Sequence, residues 1–410
     1  MTFIADLHIH SKYSRATARN LDLEIIAGWA IKKGIDLVAT GDFTHPKWFN
    51  ELKEKLVSAE EGFFKLKDKK NSKIRFCLSV EISSIYKSEA LDGSDPAQAK
   101  VRRVHNLIFL PSLEDAEKFN KKLGKIGNIK SDGRPILGLS SRALLEILLE
   151  TAPDGFLIPA HIWTPHFSVL GAQSGFDSVE ACFGDLTQYI FALETGLSAD
   201  PPMCRRLSML DRYSLVSNSD AHSPANLGRE ANIFSCNFNF SSMKKALMSG
   251  KGFEGTIEFF PEEGKYHLDG HRNCERSMTP HETIAADGLC PDCGRKVTIG
   301  VLHRVETLAD RAEGMQCKNP KPFIRAVPLA EIVGEILKVG SKSKKVVKEY
   351  ERLISEIAPE IEILTKTPID KISEIAGESV AASISRMRRG KAKIFAGYDG
   401  EYGKISLLAQ

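Results

Sequence analysis

The stretch Ala5-Asp6-Leu7-His8-Ile9-His10 constrains this chain more than any other. Apolar and polar residues alternate through it. That is the period of a strand, so Asp6, His8 and His10 share one face. A carboxylate and two imidazoles in an otherwise apolar strand are costly to bury unless a polar or metallic partner stands opposite. The later parts of the chain must supply that partner.

Short apolar runs alternate with stretches of helical spacing, and ionisable residues gather where the runs end. Residues 3–9 read as a strand, 21–33 as a helix capped by Asn20 and ended by Gly34, and 35–39 as a second strand. This β-α-β unit favours a parallel pair. Gly41-Asp42-Phe43-Thr44-His45 follows at once, and 48–66 reads as a charged helix. Further strands are predicted at 74–82 carrying Glu81, 104–110 carrying His105, 156–161 ending in His161, 190–194 ending in Glu194, and 214–219 leading into Asp220 and His222. Helices are predicted at 114–123 and 141–149. The pattern predicts an α/β fold, a (β/α) barrel of about seven parallel strands. In such barrels the active site lies at the carboxyl face, where these polar residues collect.

Gathering Asp6, His8, His10, Asp42, His45, Glu81, His105, His161, Glu194, Asp220 and His222 at one mouth would incur large desolvation and repulsion terms. Divalent metals remove that cost, and mixed imidazole and carboxylate donors suit zinc, manganese or iron. Several such metals at one mouth would supply Lewis acidity and an activated water. The sequence has no Walker loop, GxGxxG or Ser-His-Asp order, so P-loop hydrolysis and hydride transfer are unsupported.

The strand pattern ends near Gly255. Residues 266–300 are rich in His, Cys, Gly and Pro and too poor in aliphatics to bury a core unaided. His271-Arg272-Asn273-Cys274 and Cys290-Pro291-Asp292-Cys293-Gly294, 15 residues apart, have the spacing of two structural zinc knuckles. Three ligands are Cys274, Cys290 and Cys293. His271 is the fourth, with His267, His281 and the remote Cys317 as alternatives. Cys77, Cys182, Cys204 and Cys236 lie among apolar neighbours and read as buried thiols. Helices are predicted at 329–337, 344–357, 369–376 and 379–388. Basic clusters at 341–345 and 386–393 lie near Gly-containing turns, where contacts to a phosphate backbone are often built. The expected division is a barrel at 1–260, a zinc module at 261–303 and a helical domain at 304–410.

Composition narrows the class but not the substrate. With 42% apolar and 27% charged residues the chain is globular, and 410 residues exceed one small core. A net charge of +3 leaves room for a local basic face. No apolar run nears the ~20 residues needed to cross a bilayer. The first residues lack a signal-peptide pattern, so a cytoplasmic location is expected.

Taken in order, Asp6-Leu7-His8-Ile9-His10, Gly41-Asp42-Phe43-Thr44-His45, Val80-Glu81, Ala160-His161 and Ser219-Asp220-Ala221-His222 resemble the motifs of the PHP (polymerase and histidinol phosphatase) family. That resemblance implies a distorted seven-stranded barrel holding up to three metals. His8, His10, Glu81 and Asp220 would hold the first. Glu81 would bridge to a second, held also by His105 and His161. His45 and His222 would hold a third. The chain departs from the family after His10, where residues 14–18 are Ser-Arg-Ala-Thr-Ala and a further histidine is missing. Either Asp42 replaces it or the third site is weak or empty. Asp42, Glu81 and Asp220 are the expected catalytic carboxylates. Glu194 is either a ligand or a carboxylate that orients a histidine.

The PHP motifs, the HxxC…CPDCG pair, Gly300-Val301-Leu302-His303-Arg304-Val305 and the helical tail together resemble the endonuclease Q family. That resemblance implies a DNA repair endonuclease that nicks on the 5′ side of deaminated bases (uracil, hypoxanthine, xanthine) and abasic sites. The cofactors implied are two or three catalytic divalent metals (zinc, manganese or magnesium) and one structural zinc. The partners implied are damaged DNA, double- or single-stranded, and a replication or repair clamp. Inspecting a base requires taking it out of the stack. Trp163, His166, Phe167 and Phe176, in the loop after His161, are the expected substrate-facing residues. Two competing readings are a small-molecule phosphatase such as a histidinol phosphatase, which leaves 264–410 without a role, and a DNA-binding scaffold with vestigial metals.

Overall fold

β1 (Phe3–Asp6) leads through the helix Leu23–Lys33 to β2 (Leu37–Ala39), and the two strands pair in parallel with Ala5 opposite Leu37. The β-α-β reading therefore holds. The cap differs: Asp22, not Asn20, accepts from Ile25 N, and Gly34 closes the helix in the left-handed region at φ 81°. The computed structural model describes residues 2–68, 73–87, 100–315 and 320–408.

The helix expected over 48–66 is the first correction. It spans Pro46–Lys55 and gives way to an antiparallel hairpin of β3 (Leu56–Ser58) and β4 (Phe64–Leu66). Phe64 and Leu66 bury every second residue, a strand period that the surrounding Lys and Glu hid in the sequence.

The all-parallel barrel is the second correction. β5 (Arg75–Lys87) runs antiparallel to β6 (Val101–Leu110), from Leu78 opposite Leu110 to Lys87 opposite Val101. No helical pattern separates these strands in sequence, and a parallel pair needs a crossover of a dozen or more residues, usually helical. β7 (Ile136–Leu137) pairs in parallel with β5, and β8 (Phe156–Pro159) is antiparallel to β6. β9 (Ala192–Glu194) and β10 (Ser214–Val216) are parallel. β11 (Ala231–Phe234) is antiparallel to both β1 and β12 (Phe253–Glu258). The result is a mixed α/β fold around a central sheet.

Three links beyond the strands gather their ends. Ile9 bridges to Ala221 in parallel. Ile162 N donates to Glu194 O, and Thr195 N donates to Val216 O.

Further along, β13 (Asp269–His271) and β14 (Arg276–Met278) form a hairpin, and β15 (Phe323–Arg325) joins β12 in parallel. The C-terminal region is helical as expected: Leu329–Leu337, Lys344–Glu356, Glu360–Thr365, Ile369–Ala376 and Glu378–Arg388. It also carries the hairpin of β16 (Lys393–Phe395) and β17 (Lys404–Ser406). Glu360 docks this region on the sheet domain. It is buried, lies 2.6 Å from Lys33 Nζ, and accepts from Tyr350 Oη at 2.7 Å and Leu329 N at 3.0 Å. A buried ion pair whose oxygens are all hydrogen-bonded meets its desolvation cost.

A second buried acid forms no ion pair among the described residues. Glu258 is hydrogen-bonded to Ser217 Oγ at 2.9 Å, and burial pushes its carboxyl up to about 8. Burial, then the Glu258 charge, also raises Glu230. An unfolded glutamate titrates near ~4.3. The raised native value therefore stabilises the fold fully below that pH, and the contribution is lost as pH climbs through about 8. Glu258→Gln, an uncharged isostere, should melt ~2–4 °C above the parent at pH 9 and flatten the decline in melting temperature between pH 6 and 9. Identical pH profiles in scanning calorimetry would refute this.

Candidate metal centre

The alternation of β1 continues beyond its last residue. His8 and His10 are 1% and 0% exposed, on the same side, with ring centroids 5.4 Å apart. Asp6 is also buried but turns to backbone. It accepts from Ser219 N at 3.1 Å and Gly228 N at 2.9 Å, and burial raises its carboxyl to about 6. It thus pins the segment carrying Asp220 rather than joining the histidines.

Two ligand groups form. His8, His10 and Asp220 offer donor atoms within 4.8 Å of one another, and so do Glu81, His105 and His161. In the first, Asp220 Oδ1 is 3.1 Å from His10 Nε2 and 3.5 Å from His8 Nε2. In the second, Glu81 Oε1 is 2.6 Å from His105 Nδ1 and 3.0 Å from His161 Nε2. Glu81 faces both groups, because its Oε2 lies 3.3 Å from His10 Nε2 and 3.7 Å from His8 Nε2. Tetrahedral ligands at the usual Zn–N length stand about 3.3 Å apart. The observed separations bracket that value.

The donor chemistry fits metal. His8 Nε2 is buried and makes no hydrogen bond among the described residues, while His8 Nδ1 lies 3.0 Å from Glu194 Oε1. An imidazole with one nitrogen held by a carboxylate and the other free is the arrangement of a metal-bound histidine. Burial pulls the His8 imidazolium down, but Glu194, Asp220 and Glu81 outweigh it and hold it well above the ordinary range. Burial likewise opposes His10, whose hydrogen bonds to Asp220, Asp42 and Glu81 prevail. Glu81, despite burial, is held well below the usual carboxylate range by His105 and His8. A cluster that draws in protons this strongly is one that demands cations. His105 is the exception: burial lowers it to about 4.

Glu194 and Asp42 each hold a histidine ring by its Nδ1. Glu194 Oε1 also accepts from Asn218 Nδ2 at 2.8 Å and its Oε2 from His161 N at 2.8 Å. Asp42 Oδ2 accepts from Ser11 N and Ser11 Oγ at 2.7 Å and from Ser14 Oγ at 2.9 Å, and its Oδ1 lies 3.2 Å from His10 Nδ1. The missing histidine after His10 is thus answered by Ser14, which ties down Asp42. His45 stacks on Tyr13 at 4.6 Å, and His222 lies with its ring 4.5 Å from that of His10. Among the described residues neither belongs to a group of three ligands.

The ligand groups open onto a cavity of about 420 Å³. Of the residues expected to face substrate, Phe167 and His166 line it. Phe167 has φ 62° and packs 4.7 Å from the His105 ring. Trp163 is 1% exposed and donates to Cys204 Sγ at 3.3 Å, within the core. Phe176 is buried beneath the Arg102 guanidinium at 4.1 Å. The cavity is also lined by Arg15, Asp132 and Arg134, which periodicity missed. The signal was the turn Ser131-Asp132-Gly133-Arg134-Pro135. A Cβ on Gly133 would fall 2.3 Å from Asp42 Oδ2, so only glycine lets this turn approach the site.

The second centre is a set of four. His271, Cys274, Cys290 and Cys293 converge, with His271 Nδ1 3.2 Å from Cys274 Sγ and 3.4 Å from Cys293 Sγ. Gly294, at φ 70°, donates its N–H to Cys290 O and closes the knuckle. His267 is buried elsewhere, His281 is exposed beside Glu306, and Cys317 lies outside the described residues.

This module reaches the cavity through one helix, Val301–Leu308. Asp269, two residues before His271, accepts from Gly300 N at 2.6 Å and lies 2.6 Å from His303 Nδ1. Arg304 then donates to Leu170 O at 2.9 Å, Phe176 O at 3.0 Å and Asp177 Oδ1 at 2.6 Å, gripping the loop that carries His166 and Phe167. In the basic cluster at 386–393, Arg386 and Arg388 cap the carbonyls of Leu407, Ile363 and Leu364. Lys391 and Lys393 remain exposed.

Comparison with known proteins adds five findings. The profile of the MJ0043 C-terminal domain family matches residues 328–391. The uncharacterized protein MJ0043 of Methanocaldococcus jannaschii is 35% identical over 246 residues, 57% of this chain but only 30% of its own length. The uncharacterized protein YqxK of Bacillus subtilis is 29% identical over 98% of both chains. The crystal structure of the lesion-specific endonuclease PfuEndoQ from Pyrococcus furiosus matches with TM-score 0.86 and 33% identity, covering 99% of this chain and 95% of that one. An endonuclease Q bound to a 27-mer duplex with an abasic lesion at its active site matches with TM-score 0.84 and 33% identity, over 100% of this chain and 98% of that one.

Metal must displace protons from His8 and His10, so divalent-cation affinity at the strand-end cluster should rise from pH 6 to pH 8. Isothermal titration of chelator-stripped protein in two buffers measures this, and equal affinity at both pH values would count against it. Cys290→Ser should lose one zinc by elemental analysis while retaining the strand-end metals.

Proposed function

Because this chain belongs to the endonuclease Q family, we propose that it is a DNA repair endonuclease that hydrolyses the phosphodiester on the 5′ side of a damaged nucleotide. The substrates proposed are abasic sites and the deaminated bases uracil, hypoxanthine and xanthine. The observation that carries the reading is Glu81, whose two oxygens face separate ligand groups on the floor of an open cavity.

His8, His10, Asp220 and Glu81 would hold one divalent metal, and Glu81, His105 and His161 a second. Bound there, the pair supplies Lewis acidity and an activated water for in-line phosphodiester hydrolysis. The protein's own task is placement. Glu194 and Asp42 fix the rings of His8 and His10, so the ligating nitrogens lose no entropy on loading. A two-metal site is favoured, since Asp42 is already committed to Ser11, Ser14 and His10.

The cavity would receive an extruded nucleotide between Phe167 and His166. Extrusion is easiest for mispaired or absent bases, and this favours damaged over intact DNA. A barrel at 1–260, a zinc module at 261–303 and a C-terminal domain at 304–410 remain the proposed division. The exposed Lys391 and Lys393 are proposed backbone contacts in the tail.

The test is incision of an end-labelled duplex with one abasic site, uracil or hypoxanthine, in Mg²⁺ or Mn²⁺. One cut on the 5′ side is expected. No cut by metal-loaded enzyme would overturn the reading, and release of phosphate from histidinol phosphate instead would point to a small-molecule phosphatase. His8→Ala, Glu81→Ala and Asp220→Ala should each slow incision about 10³-fold or more. Asp42→Asn and Glu194→Gln should slow it about 10–100-fold, the loss typical of groups that orient a ligand.

A further inference from the structure

We propose that Arg134 is a catalytic residue that binds a non-bridging oxygen of the scissile phosphate. The inference rests on the endonuclease reading above and extends it to a residue outside the metal-ligand set.

The turn that carries Arg134 is pinned on both sides. Gly133 N donates to Tyr13 O, and Ser83 N to Pro135 O at 3.0 Å, so the turn is fixed to β5 and to the segment that follows His10. Asp132 Oδ1 accepts from Arg134 N at 3.1 Å and its Oδ2 lies 3.1 Å from Arg15 Nε. Arg134 Nη1 donates to Glu81 Oε2 at 3.1 Å, the oxygen that faces His8 and His10. Its other guanidinium N–H groups have no acceptor among the described residues, and the side chain lines the cavity at 28% exposure.

Charge then selects the occupant. The carboxylates around the ligand groups are the buried Glu81, Glu194 and Asp42 and the partly exposed Asp220. Two divalent cations would cancel them. Asp132 and Arg15, which also line the cavity, pair with each other at 3.1 Å, so Arg134, always protonated, leaves the lining with one positive charge in excess. A phosphodiester is the anion that offsets it, and a guanidinium fork fits its oxygens. As water adds to phosphorus and the P–O bond to the leaving sugar breaks, charge accumulates on those oxygens. No bond to Arg134 forms or breaks, and the proton lost by water ends on the leaving alkoxide. Arg134 is placed to hold that growing charge.

The test compares parent, Arg134→Gln and Arg134→Lys on an abasic duplex whose cut linkage is either the natural diester or a neutral methylphosphonate. Arg134→Gln should incise the natural diester about 10²–10³-fold more slowly, with metal content unchanged, and Arg134→Lys should recover part of the loss. Equilibrium binding in Ca²⁺ provides a second readout. The methylphosphonate should weaken binding to the parent and leave Arg134→Gln unmoved. An Arg134→Gln rate within threefold of the parent, loss of bound metal in that variant, or equal weakening of both proteins by the methylphosphonate would overturn the proposal. Failure of the parent to cut any lesion would instead overturn the endonuclease reading.

Discussion

One buried carboxylate, Glu81, organises the centre of this molecule. It is 2% exposed, and its two oxygens look toward different sets of imidazoles. Removing such a group from water costs several kcal/mol unless cations meet it. Here the neighbours are His8, His10, His105, His161 and Arg134. Those groups come from the segments of three strands and from a turn, all remote in sequence. Satisfying Glu81 therefore specifies how the strand ends are brought together. The fold holds the carboxylate, and the carboxylate in turn makes any other arrangement of those ends expensive.

Order around Glu81 depends on a second layer of polar contacts. Glu194 holds His8, Asn218 and the His161 amide together, and Asp42 joins His10 to Ser11 and Ser14. Asp6 fastens the chain just before and after Asp220. Each of these acids is buried and each has several donors. The Nε2 of His8 differs: it is buried and has no hydrogen-bond partner among the described residues. Incomplete coordination in a buried polar cluster marks the groups that act on something else.

Much of this was legible in the sequence because strand alternation and strand ends obey short-range rules. His8 and His10 had to share a face, and Glu81, His105, His161 and Asp220 could be located from the apolar runs beside them. Roles within the cluster were less legible. Asp6, Asp42 and Glu194 look alike in sequence, and only the structure shows which donors each one meets. Trp163 and Phe176 lie in the expected loop, yet burial takes both from the cavity. The direction of β6 was hidden, since an apolar strand reads alike in either orientation. Arg134 was hidden for a different reason. It sits in an irregular turn, and its reach depends on Gly133 letting backbone approach Asp42 within a distance no side chain would allow.

The candidate zinc ligands His271, Cys274, Cys290 and Cys293 are tied to the cavity by a chain of contacts. A closed Cys₃His site performs no chemistry. Its hairpin, however, places Asp269 under the start of the helix Val301–Leu308, where it holds both Gly300 N and His303. Arg304 then hydrogen-bonds two carbonyls and a carboxylate of the loop that bears His166 and Phe167. Loops are the low-stability parts of a fold, and a loop that lines a binding cavity loses affinity for every state it samples. Tying it to a helix that is itself tied to the His271/Cys hairpin limits those states. The two candidate ligand sets, far apart in sequence, thus meet at one cavity: one lies at its floor and the other is linked to its wall.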